Sequence, residues 1–156
     1  MVSIKTLSLL AIAGLAAAAP HSANENEARA APAYMAVVNE YRTKLGVPKL
    51  TRDTKLEANA YKTCKDGNGQ MVHQLIPPTM AQVLAPGNMS KFKNIYVGGW
   101  LCERPNLPGL GNECAKEGQG WAHPPGQTGH ADILRSTTYT RIGCASEGGI
   151  VGCDLR

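Results

Sequence analysis

Several familiar signatures are missing from this sequence, and each absence narrows the functions open to it. No Gly-x-Ser-x-Gly segment is present, so the strained nucleophile turn of many serine hydrolases is lacking. No closely spaced His-x-x-x-His pair suggests a metal site on one helix. Lys and Arg are scattered without the basic run that is typical of nucleic-acid binding. We therefore expect neither an enzyme nor a nucleic-acid-binding protein.

Long apolar runs are also scarce, and the one at the start is too short to span a bilayer. Lys5 precedes an apolar run over residues 7–19 that ends in small residues, which is the pattern of a secretory signal peptide. We assign residues 1–18 to that signal, 19–32 to a flexible lead and 33–156 to one folded domain. The mature protein is expected to be secreted and extracellular, with no integral membrane segment.

Five cysteines in a secreted chain predict two disulfides and one remaining thiol. Five choices of the unpaired cysteine and three pairings of the other four give 15 arrangements. Composition alone leaves all of them open. A thiol–imidazole pair of Cys64 and His73 is conceivable, but nothing indicates an exposed, electropositive setting for that cysteine.

Hydrophobic periodicity predicts helices first and a hairpin last. An amphipathic helix is expected over residues 34–45, and a second begins after Asp53, which can cap it. Ser90 is expected to cap a third helix. Strands are predicted over residues 80–84, 138–145 and 150–155, a short helix over 129–134 and an irregular connector over 104–127. This order indicates an α+β domain.

The motifs also occur in a familiar order. They are Val38-Asn39-Glu40-Tyr41-Arg42, His73, Ala81-Gln82-Val83-Leu84, Trp100-Leu101-Cys102-Glu103, Thr128-Gly129-His130, Gly143-Cys144 and Cys153-Asp154-Leu155. Together they resemble the CAP superfamily of cysteine-rich secretory, antigen 5 and pathogenesis-related 1 proteins, and above all its small secreted fungal members. The resemblance covers residues 33–156 and implies an α-β-α sandwich. It also implies disulfides Cys102–Cys114 and Cys144–Cys153, which leaves Cys64 as a buried thiol.

The resemblance further implies a central cleft with two His and two Glu, which bind a divalent metal in some members. Carried over by position, these are His73, His130 and Glu103, while Gln82 stands where the family has its second Glu. Two imidazoles and one carboxylate could still hold Zn²⁺. The alternative, which we favour, is a buried hydrogen-bond network that braces the cleft. His123 is interpreted as an exposed loop residue rather than part of the cleft.

Some members of the family carry sterols or fatty acids in apolar grooves. Here the candidate groove lies where the loop over residues 84–92 meets the third helix, lined by Met89, Phe92, Ile95 and Tyr96. Their helical spacing is equally typical of core residues. Asn88-Met89-Ser90 is a glycosylation sequon, so Asn88 is expected to be exposed.

We therefore predict a secreted, non-catalytic binding protein for sterols or other small lipids, acting as a fungal effector or defence-related protein. A divalent-metal-dependent activity, or metal-gated binding, at His73, Glu103 and His130 is the alternative. A third possibility is a module that presents the connector to a host protein.

Overall fold

The computed structural model describes residues 31–156. The predicted signal peptide, residues 1–18, and most of the predicted lead lie outside the described residues. The helices are α1 (Ala33–Lys44), α2 (Thr54–Gly67), α4 (Glu113–Glu117) and α5 (Gly129–Arg135), and the strands are β1 (Thr51–Arg52), β2 (Ala81–Pro86), β3 (Arg141–Glu147) and β4 (Ile150–Leu155). Between β2 and α4 lies a composite helical segment, α3, made of Met89–Lys91, Asn94–Trp100 and Leu101–Glu103.

The four strands form one mixed sheet in the order β1-β3-β4-β2. β1 runs parallel to β3, whereas β3 pairs with β4, and β4 with β2, in antiparallel fashion. A two-residue turn, Gly148-Gly149, joins β3 to β4, and both glycines have positive φ, as a tight hairpin turn requires. β2 is therefore an edge strand.

Alternate side chains of the sheet face two different helical layers. Val83 and Ala85 belong to the main core with α1 and α3, whereas Leu84 packs on the other side with Cys64 of α2 and with Ile150. Since successive residues of a strand point to opposite faces, this alternation places the sheet between two helical layers. The structure confirms an α+β fold with helices on both faces of the sheet.

Helix α2 begins at the predicted cap and ends at a residue in the left-handed conformation. The carboxylate of Asp53 accepts hydrogen bonds from the backbone N–H groups of Lys55 and Leu56, and Asn68 ends the helix in the left-handed conformation. The predicted motif residues of α1 are structural. Asn39 bonds both backbone groups of Leu50, and buried Arg42 donates to the carbonyls of Pro48, Leu134 and Ser136.

The third helix differs from the prediction in its cap and in its geometry. The side-chain oxygen of Asn88, not Ser90, caps its first turn by accepting from the Ser90 N–H at 3.1 Å. Residues Asn94–Trp100 form a π-helix, which widens the helix where two glycines occur. A Cβ on Gly98 would lie 1.9 Å from the carbonyl oxygen of Glu117, so this glycine allows the connector to lie directly on the helix.

Two predicted strand boundaries were wrong by a few residues. β2 extends to Pro86 rather than ending at residue 84, and β3 starts at Arg141 rather than at residue 138. The predicted irregular connector contains the short helix α4. β1 was not predicted, because two residues are too few to produce an alternating pattern.

Candidate ligand-binding cleft

A cleft of about 750 Å³ opens at the carboxyl end of edge strand β2. Its walls come from four segments: the loop after α2, the end of β2, helix α3 with the connector, and the start of α5. The lining residues are Met71, His73, Leu84, Ala85, Pro86, Asn94, Gly99, Trp100, Gln119, Gly120, Trp121, Ala122, His123, Pro124, Gln127 and His130. The cleft thus combines an apolar wall with three histidines.

Two tryptophans form the aromatic part of the wall, and both are fixed by their indole N–H groups. Trp100 donates to the carbonyl oxygen of Leu84 at 3.1 Å, and Trp121 donates to Oδ1 of Asn94 at 3.1 Å. Trp121 also lies against Gly99, where an added Cβ would be 3.1 Å from the indole ring. A side chain at that position would therefore push the ring away from the helix.

His130 is held by Glu103. One carboxylate oxygen, Oε1, contacts His130 Nδ1 at 2.5 Å, and Oε2 accepts from the backbone N–H groups of His130 and Ala131 at 2.9 and 3.1 Å. The Glu103 side chain is almost fully buried, whereas that of His130 is 23% exposed. Glu103 therefore orients the ring from behind, and the opposite edge of the ring faces the cleft.

His73 is held in the same way by Gln82, although no carboxylate contacts its ring. The Gln82 side-chain oxygen lies 3.0 Å from His73 Nδ1 and accepts from the backbone N–H of Gln74 at 3.1 Å. The Gln82 amide nitrogen donates to Thr63 Oγ1 and to the Gln74 carbonyl. Gln82 thus orients His73 without bringing a charge to its ring.

The carboxylate missing from β2 is found on the neighbouring strand. Asp154 of β4 lies opposite Gln82 in the sheet register, and its Oδ1 accepts from the Gln82 amide at 2.7 Å. Its Oδ2 accepts from Thr79 Oγ1 at 2.8 Å. Burial raises the pKa of Asp154 above its usual value, although these hydrogen bonds oppose that shift. Sequence reasoning missed Asp154, because only the strand pairing brings it next to Gln82.

His123 contradicts the interpretation of an exposed loop residue. It is half-buried, lines the cleft, and its Nε2 lies 2.8 Å from the carbonyl oxygen of Gly98. The connector reaches this position because Gly98 allows it to approach the helix. The sequence around His123 contains no signal of that contact.

Comparison with known families identifies the chain. The sequence model described as the cysteine-rich secretory protein family, CAP, matches residues 35–152. This chain belongs to the CAP family. No curated protein matches it. Across residues 31–156, no helix is both long and apolar enough to cross a membrane.

The three-ligand metal set predicted for this CAP domain does not assemble. Among residues 31–156, no group of three or more His, Cys, Asp and Glu side chains is arranged to hold a metal ion. Both oxygens of Glu103 already accept hydrogen bonds from His130 and Ala131, so Glu103 supports a ring rather than serving as a ligand.

Three of the four predicted lipid-contacting residues belong to the core instead. Phe92, Ile95 and Tyr96 are 4%, 1% and 0% exposed, and their rings and side chains pack against α1 and Trp100. Only Met89 is partly exposed. The helical spacing of this group therefore reflects core packing, whereas the apolar cleft is lined by Trp100 and Trp121.

The cysteines are arranged as the family resemblance implied. Cys102 pairs with Cys114, and Cys144 pairs with its cross-strand partner Cys153. Cys64 is free and buried, and burial raises the pKa of its thiol. Its neighbours are the backbone of Ala145 and Gly152, which is the setting of an inert core thiol.

Proposed function

We propose that this protein is a secreted, non-catalytic CAP protein that binds a sterol or another small lipid in the cleft between Trp100 and Trp121. The observation that carries this proposal is the apolar, aromatic wall of a single cleft with histidines beside it. Its volume, about 750 Å³, falls within the range of about 300–1,000 Å³ of typical small-molecule sites. The lipid would thus lie in this cleft rather than in the groove predicted where the loop over residues 84–92 meets the third helix.

The fluorescence of the protein offers a direct test, because both tryptophans of the chain line the cleft. Titration with cholesterol or dodecanol should change the tryptophan emission and saturate with one ligand bound. Trp121→Ala should weaken binding by about tenfold or more, since it removes one wall of the cleft. A protein whose emission is unaffected by either lipid would contradict the proposal.

The matched control is Leu75→Ala. Leu75 is 55% exposed and does not line the cleft, so its truncation removes apolar surface without changing the cleft wall. We expect lipid affinity to be unchanged. An equal loss in both variants would indicate nonspecific adsorption of lipid to exposed apolar residues.

Secretion and a role toward a host are further parts of this proposal. Two disulfides support an oxidising compartment, which is where CAP proteins typically act. Asn88 in its sequon supports glycosylation there. N-terminal sequencing of protein from culture medium should begin at residue 19, and Asn88→Gln should remove a glycan-dependent mass increment. Retention inside the cell would contradict an effector or defence-related role.

Metal-gated binding is the second candidate, and the pairings behind the two histidines favour it. Glu103 and Gln82 each accept from a ring Nδ1–H, which leaves Nε2 free as a ligand atom. Added Zn²⁺ should then raise the melting temperature, and His130→Ala should abolish the shift. A wild-type melting temperature that does not respond to Zn²⁺ would contradict this candidate without affecting lipid binding.

A further inference from the structure

We propose that the cleft selects an amphiphile whose polar end is an alcohol hydroxyl and rejects a carboxylate on the same chain. This inference rests on the proposed lipid-binding function. It follows from the polar groups at the cleft, which offer hydrogen-bond acceptors and lack fixed cationic donors.

Each of the three histidines has one ring nitrogen engaged by an acceptor. His130 Nδ1 faces the Glu103 carboxylate, His123 Nε2 faces the Gly98 carbonyl, and His73 Nδ1 faces the Gln82 side-chain oxygen. An uncharged imidazole carries a single N–H, and its other nitrogen is an acceptor. The engaged nitrogen must therefore hold the proton, and the remaining nitrogen of each ring is an acceptor.

The orientation of Gln82 is dictated by its surroundings, so the His73 assignment does not depend on a choice between amide oxygen and nitrogen. The Gln74 backbone N–H can only donate, which requires the Gln82 oxygen beside it. On the other side, the Asp154 carboxylate and the Gln74 carbonyl can only accept, which requires the Gln82 nitrogen. Asp154 therefore fixes Gln82, and Gln82 fixes the proton of His73 on Nδ1.

Nothing fixed in the cleft would compensate a carboxylate. Among the described residues that line it there is no Lys or Arg, and both indole N–H groups are engaged by Leu84 and Asn94. Two of the three imidazoles have a carboxylate behind them, because Glu103 contacts His130 and Asp154 contacts the Gln82 that holds His73. Apart from the neutral amides of Gln119 and Gln127, an anionic headgroup would meet imidazole acceptors, with buried carboxylates behind two of the rings. A hydroxyl can donate to a free ring nitrogen.

The test compares dodecanol with dodecanoate, which share a chain and differ in the polar end. Both are titrated into the full protein at the same pH, above neutral, and binding is followed by tryptophan emission. We expect dodecanol to bind about tenfold more tightly or better. Equal affinities, or tighter binding of dodecanoate, would overturn the inference and leave lipid binding intact.

A charge placed at the polar part of the cleft should reverse the selection. His73→Lys replaces an acceptor by a cationic donor, so dodecanoate affinity should rise and the preference for dodecanol should shrink by about tenfold. Leu75→Lys is the matched control, because it adds the same charge to the same loop outside the cleft. A similar change in both variants would overturn a local role of His73. If neither ligand changes the emission of the wild-type protein, the proposed function itself fails, and this inference fails with it.

Discussion

Exchanging Gln82 for Glu tests the arrangement behind His73 most directly. The substitution introduces a carboxylate next to Asp154 with little change in side-chain size. The Gln82 amide donates to Asp154 at 2.7 Å, and both side chains are buried. The introduced carboxylate would be a second acceptor-only group against Asp154, so we expect the folded state to be destabilised.

Two separate considerations give the magnitude of the stability loss in Gln82→Glu. Two ionised carboxylates about 4 Å apart repel by about 4 kcal/mol at an effective dielectric constant of about 20. Alternatively, one carboxyl keeps its proton, and holding a proton at pH 7 on a Glu whose ordinary pKa is about 4.3 costs about 4 kcal/mol. Since the molecule adopts the less costly state, Gln82→Glu should lower the free energy of unfolding by about 3–4 kcal/mol at neutral pH.

The loss of folding stability in Gln82→Glu should increase as the pH rises. A carboxyl whose pKa is raised in the folded state binds its proton more tightly there than in the unfolded chain. Its penalty is therefore absent below the unfolded pKa and grows as the pH rises toward the folded pKa. Urea unfolding should show the variant close to the wild type in stability at about pH 4 and much less stable at about pH 7.

Asp154→Asn in the same molecule should restore stability, because the Asn amide can donate to the carboxylate introduced at position 82. Gln70→Glu is the matched control, since Gln70 is exposed and the change in charge is the same. The reasoning would be refuted by a Gln82→Glu variant that is as stable as the wild type at neutral pH. It would also be refuted by a loss of equal size at both pH values, or by a double variant no better than the single one.

Three further outcomes are expected from the described residues. Tyr96→Phe should leave the protein equally stable in urea or about 1 kcal/mol more stable, because the buried Tyr96 hydroxyl has no partner among residues 31–156. Tyr41→Phe should destabilise the folded protein, because it removes the hydrogen bond from Tyr41 to Glu113. Gly98→Ala should cost about 1–3 kcal/mol or more by overlap with the connector backbone, while Gly129→Ala, with open space around it, should be nearly neutral in the same urea measurement. Cys64 should react with iodoacetamide only after denaturation, and rapid alkylation of the native protein would contradict its burial.

Local patterns predicted the order of most elements because each depends on residues close in sequence. The cap of α2 at Asp53 and the Gly148-Gly149 turn both require particular residues at particular positions, so the sequence displays them. The π-helix of α3 was missed because its buried residues also satisfy the α-helical period. Gly98 and Gly99 allow the connector and Trp121 to pack on the helix, a long-range contact that no local pattern displays.

Only some of the polar residues at the cleft could be predicted from the sequence. His73, Glu103 and His130 stand at positions that match the family's motifs, and the structure brings Glu103 and His130 together. Asp154 could not be found that way, because its proximity to Gln82 is a consequence of strand register between segments far apart in sequence. His123 depends on the path of a long connector, which carries no periodicity of its own.

The disulfide between Cys102 and Cys114 links the helix segment that carries Glu103 to the connector that carries Trp121 and His123. Cys102 precedes Glu103, which orients His130, and Cys114 lies in α4 at the start of the segment that leads to Trp121 and His123. The bridge closes a short loop, so its effect on global stability is limited to about 3 kcal/mol. Because it joins the end of α3 to α4, it constrains the connector close to the helix that carries the other cleft wall. The cleft wall formed by an irregular segment is thus held by a covalent bond and by the glycine contact at Gly98, rather than by regular secondary structure.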